Sequence, residues 1–339
     1  MRAGRGRDCA LRYFDYGFVR GQVAPHDPHP EKRPGGRMKL QFFDNDIPNF
    51  GDELNRDIWD HFLPKGFLDE DTSELFIGIG SIIHDKYPAN ARKIVAGSGY
   101  GGYEDAPDVH DGTWDILFVR GPQTAEVLGI DPSLAISDSA ILLRATPLPD
   151  PEPDIGVAFM PHFDSLQRGD WAKVCELAGM TFLDPREPHH KVIAQIRGAD
   201  LVVTEAMHGA IVADAMRTPW VSVLPIHKAH RFKWLDWARS LQIDYQPKML
   251  WPSSMREAVT FFTGHHGMGA RSKRVLDAAP TRPVTWAFEH MAARRLQVLA
   301  TMDPQLSADA VIETATARAV AALDQFVKSR TQGGVSAAE

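Results

Sequence analysis

Residues 200–223 read DLVVTEAMHGAIVADAMRTPWVSV, and this stretch confines the chain to a parallel α/β fold. Leu201, Val202 and Val203 form a short apolar run of the kind buried on both faces of a parallel sheet. Thr204, Glu205, Ala206 and Met207 turn the chain. His208 and Gly209 then open an apolar helix with Ile211, Val212 and Ala215 at helical spacing. Arg217, Thr218 and Pro219 stop that helix, and Trp220 begins the next strand. His208 therefore falls at the carboxyl end of a strand, in the first turn of a helix, where open α/β sheets bind ligands. The amides of Gly209, Ala210 and Ile211 are expected to face an anion placed there. Position alone leaves two readings open: a histidine that caps and packs, or one that does chemistry.

The same alternation runs through the rest of the chain. Strands are expected at residues 39–43, 74–83, 93–96, 115–119 and 135–138, with helices after Asp52 and after Pro122. Residues 146–154, TPLPDPEPD, contain four prolines and can continue neither a helix nor a central strand. Beyond them the pattern restarts, with strands at 155–160, 181–183, 201–203 and 220–224, a possible last one at 245–250, and helices at 171–178, 191–197 and 226–241. From Ser253 onward the chain reads as helical. The expected architecture is thus two Rossmann-like parallel-sheet domains, 38–145 and 155–252, joined by the linker 146–154 and facing a cleft, with a helical segment 253–330.

Residues 1–37 hold eight Lys and Arg against four acids, and the tract from Pro25 to Gly36 has almost nothing to bury. They are expected to form a disordered basic extension before a natural start at Met38; residues 331–339 are expected to be a disordered tail. Residues 1–37 lack the apolar core of about 7–15 residues that a secretory signal needs, and no apolar run approaches the roughly 20 residues of a membrane span. A net charge of −7 argues against nucleic acid as a partner. Cys9 and Cys175 form no disulfide or zinc pattern, which fits a cytoplasmic setting, with peripheral contact at the inner membrane face open to the basic tail.

Gly97, Gly99 and Gly102 match G-x-G-x-x-G, but no helix follows, so a dinucleotide site is not expected. Gly97, Ser98 and Gly99 are read instead as a loop lining the cleft. Arg120 follows a strand and precedes a helix with Pro122 near its start, the counterpart of the His208 position in the other half; its planar fork suits a carboxylate or phosphate. Lys228, His230, Arg231 and Lys233 form a basic cluster, from which Lys228 is the candidate second anion contact. Asp52 either caps its helix or accepts a proton. Asp138 ends a strand or orients a base. His162 and Glu205 follow strand ends and are placed with Asp52, Asp138 and the glycine loop on the acceptor side. Trp234 and Trp237 read as core. No histidine or cysteine pattern has metal-ligand spacing, and no metal or bound cofactor is expected.

The motifs NFGDELN (49–55), FIGIGS (76–81), GSG (97–99), VRGPQTAEVLG (119–129), SDSAILL (137–143) and TEAMHGAIVADAMRTPWV (204–221) occur in this order. Together they resemble the polysaccharide pyruvyltransferases, in the branch of succinoglycan-type ketal transfer, over residues 38–241. The resemblance implies a fold like the GT-B glycosyltransferases. It implies phosphoenolpyruvate as donor and co-substrate, and a cyclic pyruvate ketal on a sugar of an exopolysaccharide or its lipid-linked repeat unit. It puts the important Arg at Arg120 and the His at His208, with Lys228 as the basic residue after the last core strand. Ala206 departs from the pattern: relatives carry a basic residue there, which shifts the second donor contact to Lys228 or Arg231. On this reading His208 is catalytic and protonates the enol, while Arg120, Lys228 and the amides of Gly209 and Ala210 hold the donor. Two other readings are a glycosyltransferase using a nucleotide sugar and a non-catalytic glycan-binding subunit of an assembly complex.

Overall fold

The computed structural model describes residues 38–44, 47–266, 269–276 and 281–333. The expectations for residues 1–37 lie outside these, as does most of the expected C-terminal tail.

Five parallel strands form the first sheet: β1 (Met38–Gln41), β2 (Leu68–Asp69), β3 (Glu74–Ile77), β4 (Arg92–Ala96) and β5 (Trp114–Phe118), in the order β2-β1-β3-β4-β5. The short helix α1 (Phe50–Glu53) follows β1, and α2 (Pro122–Leu128) follows β5. The second sheet is also parallel. It contains β6 (Gly156–Met160), β7 (Thr181–Phe182), β8 (Ala199–Thr204) and β9 (Trp220–Ser222), in the order β7-β6-β8-β9. Its helices are α3 (Trp171–Ala178), α4 (His189–Gly198) and α5 (Met207–Met216). Then come α6 (Phe232–Ser240), α7 (Met255–Thr263), α8 (Ala270–Leu276), α9 (Arg282–Leu299) and α10 (Asp309–Gly333).

Strand order reverses between β1 and β3 in the first sheet and between β6 and β8 in the second. Crevices for ligands open at such points, at the carboxyl ends of the strands. The two crevices face each other. The Phe50 amide donates to the Pro185 carbonyl at 2.7 Å across the divide, and one apolar cluster runs from Met38 and Phe76 through Met160 and Val202 to Trp220. Around His208 the facing elements are in contact, because α1 and the turn after Ser137 pack directly on α5.

Several elements differ from the sequence expectation for local reasons. The strand expected to reach residue 83 stops at Ile77, because the Asn55 side chain takes over the backbone beyond it. Its amide oxygen accepts from Ile79 N–H at 2.8 Å and its amide nitrogen donates to the Ile79 carbonyl at 3.0 Å. A Cβ on Gly78 would lie 2.3 Å from that oxygen, so glycine is required. Residues 135–138 contribute one bridge, Ala135 to Val119, before Asp138 caps the 3-10 helix Ser139–Ala145. Residues 245–250 contribute one bridge, Lys248 to Val223. The helix expected after Asp52 is one α turn followed by two 3-10 turns. α10 continues to Gly333, past residue 330 where the tail was expected to begin.

The helical segment is divided between the domains. α9 packs on α3 of the second domain, whereas α10 crosses to the first: the Phe326 and Phe76 rings lie 6.4 Å apart, and Arg330 pairs with Glu74 at 2.8 Å. α6 also crosses, lying on α2. Its Asp236 is fully buried. One carboxylate oxygen accepts from Arg120 Nε at 3.1 Å and from the Thr124 hydroxyl at 2.6 Å, and the other accepts from the Thr124 amide at 3.0 Å. Asp236 thus caps α2 from outside, where Gly121 has no side chain to do so. A Cβ at Gly121 would lie 2.1 Å from the Asp236 carbonyl oxygen, so this glycine lets the helices meet.

Removing one partner of a buried pair leaves the other charge uncompensated. Asp236→Ala is expected to lower unfolding free energy by about 3–5 kcal/mol, read as a lower urea midpoint at unchanged slope. A midpoint equal to wild type would show that the pair does not hold α6 in place.

Candidate active site

His208 is the second residue of α5, directly after the β8 turn. Its ring lies on the backbone of Gly51 in α1: a Cβ there would sit 1.8 Å from Nδ1. No other residue type fits without moving the imidazole. On the ring's other edge, Nε2 lies 3.7 Å from the Asp138 carboxylate. That is longer than a hydrogen bond but close enough for strong attraction to a protonated ring. Both atoms are buried, and neither has a hydrogen-bond partner among the described residues. The other Asp138 oxygen accepts from Ala140 N–H at 3.0 Å, so the capping bond fixes the carboxylate that faces His208.

Asp52 completes the group. Its carboxylate accepts from Asn49 Nδ2 at 2.5 Å, and its other oxygen lies over Gly80. Asn49, not Asp52, is the N-cap residue of α1, so Asp52 does not take the capping place expected for it. Burial pushes its carboxyl up to about 6; His208, Asn49 and Lys233 hold it lower than burial alone would. One imidazole is therefore placed between a carboxylate locked by a cap and a carboxyl that changes protonation near neutral pH. That arrangement suits proton transfer in both directions.

The residues read as anion contacts are engaged as follows. Arg120 is fully buried: besides Asp236 it donates to Ser81 Oγ at 2.6 Å and to the Tyr100 carbonyl at 2.8 Å. Its guanidinium lies across Gly99, whose Cβ would be 2.1 Å from Cζ. The glycine loop therefore accommodates protein side chains. Gly97 has φ +77° and makes room for Ser139, and Ser98 Oγ donates to the Gly80 carbonyl. Gly97, Ser98 and Gly99 are buried and do not line a surface. Lys228 is exposed and makes no side-chain hydrogen bond or ion pair among the described residues, and Arg231 donates twice to the Pro225 carbonyl. The cation that reaches the site is half-buried Lys233, which acts electrostatically on Asp52 and on His162 and His230. It belongs to the basic cluster seen in the sequence, but only its place on α6, three residues before Asp236, brings it there.

Two further expectations are corrected. Ala210 N–H donates to the Ala206 carbonyl, because it is already the fourth residue of the helix; amides free for an anion lie earlier, up to Gly209. Glu205 is fully buried and accepts from His162 N–H, Ser165 Oγ and Ile226 N–H at 2.9, 3.1 and 2.8 Å. It ties the ends of β6, β8 and β9 together. Trp234 and Trp237 are core, as read.

His162 is buried in a different group, which the sequence did not reveal. Its ring stacks on His230 at 4.1 Å, and Asp164 lies 3.0 Å from His230 Nε2 and 3.8 Å from His162 Nδ1. His227 and His266 stack beside them at 4.0 Å. Burial lowers the pKa of both His162 and His230, while those two imidazoles hold the Asp164 carboxyl well below the usual range. His162, Asp164 and His230 are the one group of ligating side chains among the described residues placed to hold a metal ion. The H-x-D spacing of the first two was legible in the chain; the third lies 66 residues further on.

The chain thus builds two parallel-sheet α/β domains with a histidine where their switch points meet. The polysaccharide pyruvyl transferase family model matches residues 7–226, beginning inside the segment read as an extension. The succinoglycan biosynthesis protein ExoV of Rhizobium meliloti (strain 1021) is 37% identical over 248 residues, covering 72% of this chain and 78% of that protein. The chain belongs to the polysaccharide pyruvyl transferase family and is an enzyme, which sets aside the reading as a non-catalytic subunit. A crystal structure of the iron-containing dodecameric glycosyltransferase TibC from enterotoxigenic E. coli aligns over 80% of this chain and 78% of its own, at 13% identity and a TM-score of 0.31. That likeness is too distant to carry an argument.

Asp52 gives the site a pH signature. Its folded pKa, about 6, lies above the unfolded 3.8, so its contribution is complete below pH 3.8 and is lost as pH rises through 6. Asp52→Asn, neutral throughout, is expected to exceed wild-type stability above pH 6 by on the order of 3 kcal/mol, and to match it near pH 4. Urea titrations at pH 4 and pH 7.5 measure this. An equal difference at both pH values would remove the carboxyl from the account.

Proposed function

We propose that this transferase moves the enolpyruvyl group of phosphoenolpyruvate onto two hydroxyls of one sugar, forming a cyclic pyruvate ketal and releasing phosphate. The sugar belongs to an exopolysaccharide or to its lipid-linked repeat unit. The observation that supports this most directly is His208, held on Gly51 between Asp138 and Asp52 where the two switch points meet. Family membership supports the choice of group transferred.

The chemistry needs an acid, a base and a cation. His208, with the Asp138 carboxylate 3.7 Å from its Nε2, gives a proton to the methylene carbon of the enol, which becomes a methyl group. The adjacent carbon becomes an oxocarbenium-like electrophile. A sugar hydroxyl adds to it and loses its proton to ionised Asp52. The second hydroxyl then displaces phosphate from the same carbon, passes its proton to the now neutral His208, and closes the ring. Lys233 and the first amides of α5 face the donor's negative charge. Arg120 acts at one remove, by anchoring α6 and so placing Lys233. Because the facing domains are in contact at His208, substrate entry requires them to separate there.

No described helix is long and apolar enough to cross a membrane. A lipid-linked acceptor would be met at the cytoplasmic face, by peripheral approach.

Incubation with phosphoenolpyruvate and lipid-linked oligosaccharides, followed by phosphate assay and mass detection of a ketal, tests the reading. His208→Ala is expected to reduce turnover by at least about 100-fold with an unchanged circular dichroism spectrum. Asp138→Asn is expected to lower kcat and leave the KM for phosphoenolpyruvate near wild type. Wild-type turnover by His208→Ala removes its role; a nucleotide sugar consumed in place of phosphoenolpyruvate replaces the reaction.

A further inference from the structure

We propose that His162, Asp164 and His230 form a binding site for one divalent first-row transition metal, zinc or ferrous iron. The proposal does not rest on the pyruvyl-transfer reading, because none of the three residues takes part in it.

The geometry carries the argument. One ligating atom from each residue lies within 4.8 Å of the others. The Asp164 carboxylate is 3.0 Å from His230 Nε2 and 3.8 Å from His162 Nδ1. Around a tetrahedral zinc with bonds of about 2.0–2.1 Å, neighbouring ligand atoms stand roughly 3.3 Å apart. These two separations bracket that value and the third lies within 4.8 Å, so side-chain rotations would close the triangle. The metal takes the position between His230 Nε2 and Asp164 that a proton holds otherwise. His162 presently accepts from the Asp164 amide through Nδ1 at 3.2 Å and stacks on His230. On binding, the metal bond replaces that hydrogen bond at Nδ1 and the ring turns out of the stack.

The surroundings fit a ligand set and not a chance contact. Asp164 and His162 are buried, and His230 is nearly so. The far nitrogen of His230, Nδ1, lies 3.3 Å from the Tyr103 hydroxyl. Metal-bound imidazoles are oriented by such a contact on the ring nitrogen that does not ligate. Tyr103 comes from the first domain, so the site spans the domain junction. The next imidazole, His227, has its ring 5.2 Å from that of His230. Its Nδ1 is buried and has no hydrogen-bond partner among the described residues. Arg168 and Lys233 add positive charge around the cluster and reduce its attraction for any cation held by charge alone. Binding must come from direct bonds to nitrogen. Two imidazoles and one carboxylate form the donor set of zinc and ferrous iron, whereas magnesium and calcium prefer oxygen ligands throughout.

The test uses full-length protein without a histidine tag, stripped with a chelator and then titrated with zinc, with ferrous iron under anaerobic conditions, and with magnesium. Bound metal is measured after gel filtration, and cobalt(II) serves as a spectroscopic probe. One zinc or iron per chain is expected, with no magnesium uptake and with visible cobalt bands. Asp164→Asn and His230→Gln are expected to raise the zinc dissociation constant more than tenfold. Thermal melts in chelator confirm that each variant remains folded, and the wild-type rise in Tm on adding zinc is expected to be absent from both. No saturable one-to-one uptake by wild type overturns the proposal, as does wild-type affinity in both folded variants.

Discussion

The buried pair Arg120–Asp236 is the interaction on which the rest of this molecule depends. It brings a positive charge at a strand end of the first domain to a carboxylate on a helix that arrives from the second. The same carboxylate caps α2, and the same guanidinium holds Ser81 and the Tyr100 carbonyl, so four segments meet at one contact. Two glycines make the approach possible: Gly99 under the guanidinium and Gly121 against the backbone of α6. A buried ion pair contributes less to net stability than to uniqueness, because desolvation offsets much of its attraction. Here what it specifies is the position of α6. Lys233 lies one turn before Asp236 on that helix, and His230 lies just before the helix begins.

At His208 two acidic groups are buried beside one imidazole, an arrangement that opposes folding and serves proton transfer. Asp52 would be more comfortable in water, and its raised pKa measures that discomfort. Asp138 caps a 3-10 helix with one oxygen and presents the other to the ring at no further conformational cost. Sites that carry reaction chemistry commonly keep such locally unfavourable groups, with the surrounding fold supplying the compensation. In this protein the compensation is a single apolar cluster running through both sheets.

Much of the architecture could be read along the chain. The apolar runs that became β4, β6 and β8, the helix α3, and the break at the proline-rich 146–154 all follow from period and punctuation. The placement of His208 at a strand end and helix start was legible for the same reason. What periodicity could not show was where a side chain replaces the ladder, as Asn55 does beyond Ile77, or where a strand is reduced to one bridge, as at Ala135. These outcomes depend on residues distant in sequence that compete for the same backbone groups.

The candidate site divides in the same way. By itself the sequence determined the parallel α/β class, the position of His208, and the ordered motifs that place the chain with its family. Only the tertiary structure decided what those residues touch. It gave Arg120 a carboxylate partner, turned Glu205 inward, set His208 on Gly51, and joined His162 and Asp164 to His230. The physical reason is one of range. Backbone periodicity and helix termini are local properties of a few residues, whereas the partner of a buried charge is chosen by whichever opposite group the packing of distant segments brings within about 4 Å.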